Sequence, residues 1–223
     1  MSIEQTTVVV MAKLPEVGRV KTRLQPALTA EQASQVHQAL LMHLTQRLAA
    51  MPWRQQVLCY DRSGDHVSLE GLHGTPVAQA SGDLGHRLAA QAGRCDGRRL
   101  FLGADSPDLP RAHLQRAAEL LADHDVVLGP TDDGGYWCLG VSRAVDVATM
   151  LSNIAWSSGG EFAQTLERAR SLGYNVAVAD PWDDVDRPED LRRLMARLGK
   201  SDDPDDRALL DRLNAILPDG VFS

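Results

Sequence analysis

The sequence contains little cysteine and no surplus of positive charge. Its three cysteines, Cys59, Cys95 and Cys138, are widely spaced and form no C-x-x-C pair. Neither a disulfide framework nor a cysteine zinc site is therefore predicted, and a reducing compartment fits best. The formal net charge of −7 argues against nucleic acid or an anionic membrane as the main partner, because both require a broad basic face.

Long apolar runs are also missing. The first apolar run, residues 8–12, is too short for the apolar part of a signal peptide or for a membrane span. The seven histidines form no H-x-x-x-H or related pattern, which argues against a zinc enzyme. We expect a cytoplasmic protein without a membrane span, and the 223 residues suffice for one α/β domain.

Short β-branched runs alternate with longer helical patterns, as in a largely parallel sheet covered by helices. The pattern predicts a three-layer α/β/α domain with a mixed, mostly parallel sheet over residues 1–199. Residues 200–223 are predicted to form a C-terminal amphipathic helical extension that docks on the core or on another subunit. Strands are predicted at 8–11, 56–60, 100–103, 126–128, 136–141 and 175–179. Helices are predicted after a Thr29–Gln32 capping box, over 110–122 and 160–172, and from Asp186 as N-cap.

A basic segment, residues 13–23, follows the first predicted strand and carries four cations. A glycine permits close backbone approach there, and cations with a hydroxyl suit phosphate oxygens. The alternative is a solvated basic surface loop. The spacing is not that of a P-loop, and no G-x-G-x-x-G follows any strand. The candidate phosphate-binding residues are Lys13, Gly18, Lys21, Thr22 and Arg23.

Two acidic motifs follow later strands, where ligand sites of open α/β sheets are found. Asp105 lies in Gly-Ala-Asp-Ser-Pro-Asp, and it is the natural oxygen ligand for a hard divalent cation. The alternative is that Asp105 or Ser106 only caps the next helix. Asp186, in Asp-Asp-Val-Asp-Arg-Pro-Glu, is predicted to be both a helix cap and a second metal ligand.

A Gly-Pro-Thr-Asp-Asp-Gly-Gly-Tyr-Trp motif, residues 129–137, follows another apolar strand. Asp132 or Asp133 could orient or deprotonate an acceptor hydroxyl, and Tyr136 or Trp137 could stack on a ring. Gly134 and Gly135 complete this candidate acceptor side. Asp-Gly and Gly-Gly are equally typical of a hairpin turn, which is the alternative interpretation.

Two weaker segments complete the set of candidates. Gly82 and Asp83 could contact the nucleotide, although Gly-Asp-Leu-Gly before a helix is often only a connection. Trp156 and Ser157 could lie on the acceptor side, although a tryptophan beside a helix start is commonly a core anchor.

Taken together over residues 8–194, these motifs resemble a bacterial family of glycosyltransferase-A-like transferases associated with radical-SAM or arsenosugar-biosynthesis genes. The resemblance implies the Rossmann-like GT-A fold of the nucleotide-diphospho-sugar transferase superfamily. It rests on Met-Ala-Lys-x-Pro-x-x-Gly-x-x-Lys-Thr-Arg-Leu, Gly-x-Asp-x-Pro, Gly-Pro-x-x-Asp-Gly-Gly-Tyr, Trp-Ser-Ser and Asp-x-Asp-x-Pro-Glu-Asp-Leu. Ser158 stands where the family usually has threonine and Val17 where proline is frequent. The motifs are equally similar to those of guanylyl- and cytidylyltransferases.

Glycosyl transfer from a nucleotide-sugar to a small acceptor is the first functional prediction. Asp105 and Asp186 would hold Mg²⁺ or Mn²⁺, and the basic segment would bind the phosphates. The close alternative is nucleotidyl transfer from a nucleoside triphosphate to a small phosphorylated acceptor, since dense cations suit a triphosphate. A non-catalytic nucleotide-binding module, with the C-terminal helix contacting a partner, is the third. A homodimer is left open.

Overall fold

Seven strands form one sheet in the computed structural model, which describes residues 3–25, 27–61 and 68–217. Their order is β3-β2-β1-β4-β6-β5-β7, and within these ranges β6 alone runs antiparallel to its neighbours. The mixed, mostly parallel sheet of the predicted α/β class is thereby confirmed. The strands are β1 Thr6–Ala12, β2 Gln55–Tyr60, β3 Thr75–Ala78, β4 Arg98–Gly103, β5 Val126–Pro130, β6 Tyr136–Val141 and β7 Val176–Val178.

Helices cover both faces of the sheet, because successive residues of the buried strands point to opposite faces and both are apolar. Val8 and Val10 pack with α1 and α3 on one face, and Val9 packs with α2, α4 and α5 on the other. A third apolar cluster joins α1, α6 and α7. The helices are α1 Ala30–Ala49, α2 Leu84–Ala92, α3 Arg111–Asp123, α4 Val147–Met150, α5 Glu161–Ser171, α6 Pro188–Leu198 and α7 Pro204–Ile216.

The predicted cap of α6 is wrong. The helix begins at Pro188 with Arg187 as its N-cap, so Asp186 lies outside it. The N–H of the N-cap Arg187 is satisfied from inside the helix, since Asp190 Oδ2 accepts it at 2.7 Å, and the same oxygen accepts the Asp186 N–H at 3.0 Å. The Asp186 carboxylate is thereby left for other contacts. The Thr29–Gln32 capping box, by contrast, is confirmed.

The C-terminal helix α7 packs on α1 of the same chain, through Leu209 and Leu213. Polar contacts reinforce this packing, because Asp206 Oδ1 lies 2.9 Å from Arg47 Nη1 and 3.1 Å from His43 Nε2. Residues 218–223 of the predicted extension lie outside the described residues. Among the described helices, none has the length and hydropathy of a membrane crossing.

Candidate active site

The carboxyl edge of the sheet gathers every motif that the sequence singled out. The chain leaves β1, β4, β5 and β7 at this edge, and antiparallel β6 begins there. Backbone hydrogen bonds join the loops to one another. The Val185 N–H donates to the Asp105 carbonyl at 2.8 Å, and the Trp182 N–H donates to the Pro130 carbonyl at 3.2 Å. The loops after β4, β5 and β7 therefore form one surface.

Lys21 lies at the centre of this surface. Its backbone adopts a left-handed conformation, with φ of 47°, at the start of a short 3₁₀ turn. The side chain is only 3 % exposed, and its ammonium contacts the Asp105 carboxylate and the Val185 carbonyl and lies 3.5 Å from Asp186 Oδ1. Burial by itself lowers the pKa of Lys21, but the two carboxylates outweigh it and raise the pKa above its ordinary value. The ammonium is therefore charged.

Asp105 and Asp186 flank this ammonium from two different loops. The side chain of Asp105 is 43 % exposed, and it does not cap α3, whose N-cap is Pro110. Burial favours protonated Asp105, but Lys21 outweighs that effect and holds the pKa of this carboxyl below its usual range. Asp186 Oδ2 also accepts a hydrogen bond from Arg23 Nη1 at 3.0 Å, and the Arg23 side chain is 62 % exposed. Two carboxylates and two cations thus form an ion-pair network at the sheet edge.

A divalent metal does not fit this arrangement, although hard carboxylate donors suit Mg²⁺ or Mn²⁺. The Lys21 ammonium lies between the two predicted ligands and already supplies the positive charge. In the described part of the chain, no three carboxylate, histidine or cysteine side chains are grouped to hold an ion. Metal binding by Asp105 and Asp186 stays a prediction that requires Lys21 to move.

Asp184 is a member of the site that the sequence analysis missed. Its Oδ1 accepts a hydrogen bond from the buried Ser106 hydroxyl at 2.6 Å. Burial raises the pKa of Asp184 to about 7, and the nearby charges of Asp105 and Asp133 act in the same direction. The spacing Asp184-Val-Asp186 is the signal that could have identified it, since both residues lie in one extended loop.

His37 is a second residue that sequence reasoning did not identify. It is 4 % exposed on α1, and its Nε2 lies 2.9 Å from the Lys13 carbonyl oxygen. Because a carbonyl only accepts, Nε2 carries the proton, and burial lowers the pKa of the ring. This contact fixes the backbone where the basic segment leaves β1. In the sequence, His37 lies beside Val36 and Leu40 on a predicted helix, and nothing in that pattern distinguishes it from an ordinary core residue.

The segment predicted to be the acceptor side is the hairpin between β5 and β6. Asp133 Oδ1 accepts the Thr131 hydroxyl at 2.6 Å and the Gly135 N–H at 3.0 Å, so its carboxylate shapes the turn. Asp132 is exposed. The Gly134 carbonyl accepts the Phe162 N–H at 3.0 Å, which joins this hairpin to the start of α5. The motif therefore forms a hairpin turn and also lies at the candidate site, so the two interpretations do not exclude each other.

The three aromatic residues that the sequence analysis named differ in burial. Trp137 is 2 % exposed and donates from Nε1 to the Asp180 carbonyl at 3.0 Å, so ligand stacking is wrong for this residue. The Tyr136 hydroxyl is buried, and burial raises its pKa. Trp156 packs against Gly85 of α2, where an added Cβ would lie 3.2 Å from Trp156 Cζ2. Tyr136 and Trp156 are half-buried and pack against the core, so their place on the acceptor side stays a prediction, whereas Ser157 is exposed, with φ of 62°.

The segment before α2 also lies at this edge. Gln79 Nε2 donates to the Cys59 carbonyl at 2.9 Å and to the Ala12 carbonyl at 3.2 Å, at the ends of β2 and β1. Asp83 is the N-cap of α2, accepting the His86 N–H at 2.8 Å, and the Gly82 carbonyl accepts Arg87 Nε at 2.9 Å. A nucleotide contact by Gly82 or Asp83 therefore stays a prediction from position.

This sheet and the loops at its edge define a nucleotide-diphospho-sugar transferase fold. A protein of Desulfovibrio desulfuricans G20, assigned as a nucleotide-diphospho-sugar transferase, superposes with a TM-score of 0.85 at 26 % identity. The match covers 95 % of this chain and 96 % of that one. Molybdopterin-guanine dinucleotide biosynthesis protein A of Archaeoglobus fulgidus shares the fold, with a TM-score of 0.54 at 14 % identity over 87 % of this chain and 100 % of that one.

The family follows from the sequence itself. Residues 42–158, more than half of the 223, match the family described as "Uncharacterized protein conserved in bacteria (DUF2064)". The chain belongs to this family. It is also 28 % identical over 194 residues to 2-phospho-L-lactate guanylyltransferase of Methanopyrus kandleri strain AV19, covering 82 % of this chain and 93 % of that relative.

Proposed function

We propose that this protein is a nucleotidyltransferase that joins a nucleoside monophosphate unit to a small phosphorylated acceptor and releases pyrophosphate. The observation that carries this proposal is the Lys21 ammonium between Asp105 and Asp186, at the edge where α/β sheets bind ligands. The sequence analysis placed glycosyl transfer first. The similarity to a guanylyltransferase over most of both chains reverses that order.

The basic segment suits a triphosphate better than a diphosphate. Lys13 and Arg23 extend from the exposed part of this segment, and Lys21 lies beneath them. A nucleoside triphosphate carries more negative charge than a nucleotide-sugar, so it gains more from several cations in one loop. Three cations approaching one side of the sheet edge would hold the β- and γ-phosphates and leave the α-phosphate toward Asp105.

In the proposed reaction, an oxygen of the acceptor's phosphate attacks the α-phosphorus of the nucleoside triphosphate. A new P–O bond forms as the bond to the β-phosphate oxygen breaks, and pyrophosphate leaves with that electron pair. The basic segment neutralises the charge that develops on the leaving group. Because the attacking phosphate oxygen is already ionised, Asp132 and Asp133 orient the acceptor rather than deprotonate it.

Glycosyl transfer is the second candidate, favoured by the similarity to the Desulfovibrio protein along nearly the whole chain. It would release a nucleoside diphosphate instead of pyrophosphate. A non-catalytic nucleotide-binding module is the third candidate, and it would release neither product. An association with radical-SAM or arsenosugar-biosynthesis genes stays a prediction of the motif resemblance.

One product assay separates these candidates. The protein is incubated with Mg²⁺ or Mn²⁺, each nucleoside triphosphate and a panel of small phosphorylated acids that includes 2-phospho-L-lactate. Pyrophosphate is detected through pyrophosphatase and phosphate release, and nucleoside diphosphate by ion-exchange chromatography in parallel reactions with nucleotide-sugars. Pyrophosphate that depends on both acceptor and nucleotide supports the proposal. Nucleoside diphosphate from a nucleotide-sugar, without pyrophosphate, supports glycosyl transfer.

The matched variants are Asp105→Asn and Asp202→Asn. Both replace a carboxylate by an amide, but Asp202 is fully exposed and lies in the α6–α7 connection. We expect Asp105→Asn to lose turnover and Asp202→Asn to retain it. Equal activity of the two variants would show that Asp105 does not belong to the active site.

A further inference from the structure

We propose that the Lys21 ammonium and a divalent cation are alternative occupants of the Asp105–Asp186 pair. On this view the free protein excludes the metal, which enters only with nucleotide phosphates, as a metal–nucleoside triphosphate complex. The second statement rests on the proposed function. The first rests on the ion-pair geometry alone and concerns the nucleotide-free protein.

Three contacts hold the Lys21 ammonium in place. Its three N–H donors face three acceptors, which are Asp105 Oδ1, the Val185 carbonyl and, at 3.5 Å, Asp186 Oδ1. Because the Lys21 side chain is 3 % exposed, water can replace none of these contacts without opening the loops. A buried ammonium that loses its acceptors is costly, so metal ions alone give Lys21 no alternative partner.

A divalent cation cannot share this position with the ammonium. Two positive charges a few ångströms apart repel strongly in a partly desolvated site. The metal would also compete for the same Oδ1 atoms of Asp105 and Asp186 that face Nζ. Any metal held by this pair therefore requires that Lys21 first leave it.

Nucleotide phosphates would supply new acceptors for the Lys21 ammonium, so that it could leave the two carboxylates. Lys21 belongs to the basic segment, and neighbouring Arg23 is already exposed beside Asp186. Phosphate oxygens bound to this segment would give Nζ new charged acceptors. The side chains of Asp105 and Asp186 are 43 % and 35 % exposed, so an arriving metal can reach Asp105 from solvent, and it can reach Asp186 Oδ2 once Arg23 also turns to the phosphates.

The test measures Mn²⁺ binding to the nucleotide-free protein by electron paramagnetic resonance, which reports free aquated Mn²⁺. We compare wild type, Lys21→Met, Lys21→Arg and the matched control Lys200→Met, whose lysine is exposed. Lys21→Met is expected to bind one Mn²⁺ at least about tenfold more tightly than the other three proteins. Adding Asp105→Asn to Lys21→Met should abolish the gain. Wild type binding Mn²⁺ as tightly as Lys21→Met would overturn the proposal.

A second measurement uses the wild type alone and so does not depend on the folding of a variant. Water-proton relaxation is recorded with Mn²⁺ and a non-hydrolysable α,β-methylene nucleoside triphosphate, which distinguishes the protein-bound ternary complex from Mn²⁺–nucleotide. Strong enhancement with nucleotide and none without it is expected. Equal enhancement without nucleotide contradicts the proposal even if pyrophosphate is released, whereas a failed product assay leaves the Lys21→Met comparison valid.

Discussion

The α-carbon of Gly134 lies so close to Gly159 that an added Cβ would stand 2.0 Å from the Gly159 carbonyl oxygen. Gly134 also has a φ of +87°, a conformation that other residues rarely adopt. This contact brings the hairpin of Asp133 against the loop of Ser157. The two predicted acceptor-side segments therefore form one surface through backbone contact.

We predict that Gly134→Ala destabilises the protein far more than Gly18→Ala. Both glycines have positive φ, but nothing lies within 4 Å of a Cβ on Gly18. Gly18→Ala should cost about 1 kcal/mol of unfolding free energy for φ alone, and Gly134→Ala about 2–4 kcal/mol because backbone must also move. Urea unfolding measures both. Equal losses would mean that the Gly134–Gly159 contact is not tight.

Asp105→Asn is predicted to destabilise the nucleotide-free protein, because it leaves the buried Lys21 ammonium without its main counter-charge. The loss should be about 1–3 kcal/mol, below that of a fully buried pair because Asp105 is 43 % exposed. The exposed pair Arg19–Glu16, at 3.2 Å, provides the control. Glu16→Gln should change the free energy of unfolding by less than about 0.5 kcal/mol. A similar change for both variants would show that Lys21 does not depend on Asp105.

Arg197→Lys is predicted to loosen the loop after β7 although it keeps the charge. Arg197 Nε and Nη2 bind Asp108 at 2.5 and 3.1 Å, and the guanidinium carbon lies 5.3 Å from the centre of the Trp182 ring. Lysine cannot reproduce this fork, and Asp108 is only 7 % exposed. We expect a loss of about 1–2 kcal/mol by chemical denaturation.

The control for Arg197→Lys is Arg193→Lys on the same helix. Arg193 is 53 % exposed and pairs with Asp190 at 2.8 Å. Because lysine can keep this single hydrogen bond of an exposed side chain, Arg193→Lys should lose less than about 0.5 kcal/mol. If both variants lose the same free energy of unfolding, the Asp108–Arg197–Trp182 contacts do not hold the loop.

The contribution of His43 to stability is predicted to fall as the pH drops from about 7 to about 5. Burial and Arg47 lower the pKa of His43 despite the opposing Asp206 and Asp205, so the folded state keeps the ring neutral. The unfolded chain binds a proton as pH drops below about 6.5, and that binding favours unfolding. His43→Gln removes this term, so between pH 7 and pH 5 the free energy of unfolding of the variant should fall less, or rise more, than that of the wild type. An unchanged slope would contradict the assignment.

The central strands could be predicted because buried β-branched runs have few other interpretations. β3 escaped prediction since it is a four-residue edge strand that contains Pro76 and is partly exposed. α4 escaped because it is a single turn. Both elements have only four residues, which is too few to show a clear periodic pattern of apolar residues.

The site was predictable in its location but not in its contacts. Strand ends place Lys21, Asp105 and Asp186 at one edge, yet the direction of each side chain depends on packing between residues far apart in sequence. The Asp186 cap was wrong because Arg187 is the N-cap, and Asp190 of the helix accepts the N–H groups of both Asp186 and Arg187. Trp137 was misassigned because composition alone does not separate a buried tryptophan from one that stacks on a ligand.

The most direct test of the account is a crystal structure of the protein with Mn²⁺ and the α,β-methylene analogue of GTP, using the anomalous signal of manganese. We predict a manganese peak between Asp105 and Asp186, with the Lys21 ammonium moved onto the phosphates of the analogue. A nucleotide bound away from the carboxyl edge of the sheet, or Lys21 still between the carboxylates beside a bound nucleotide, would contradict it.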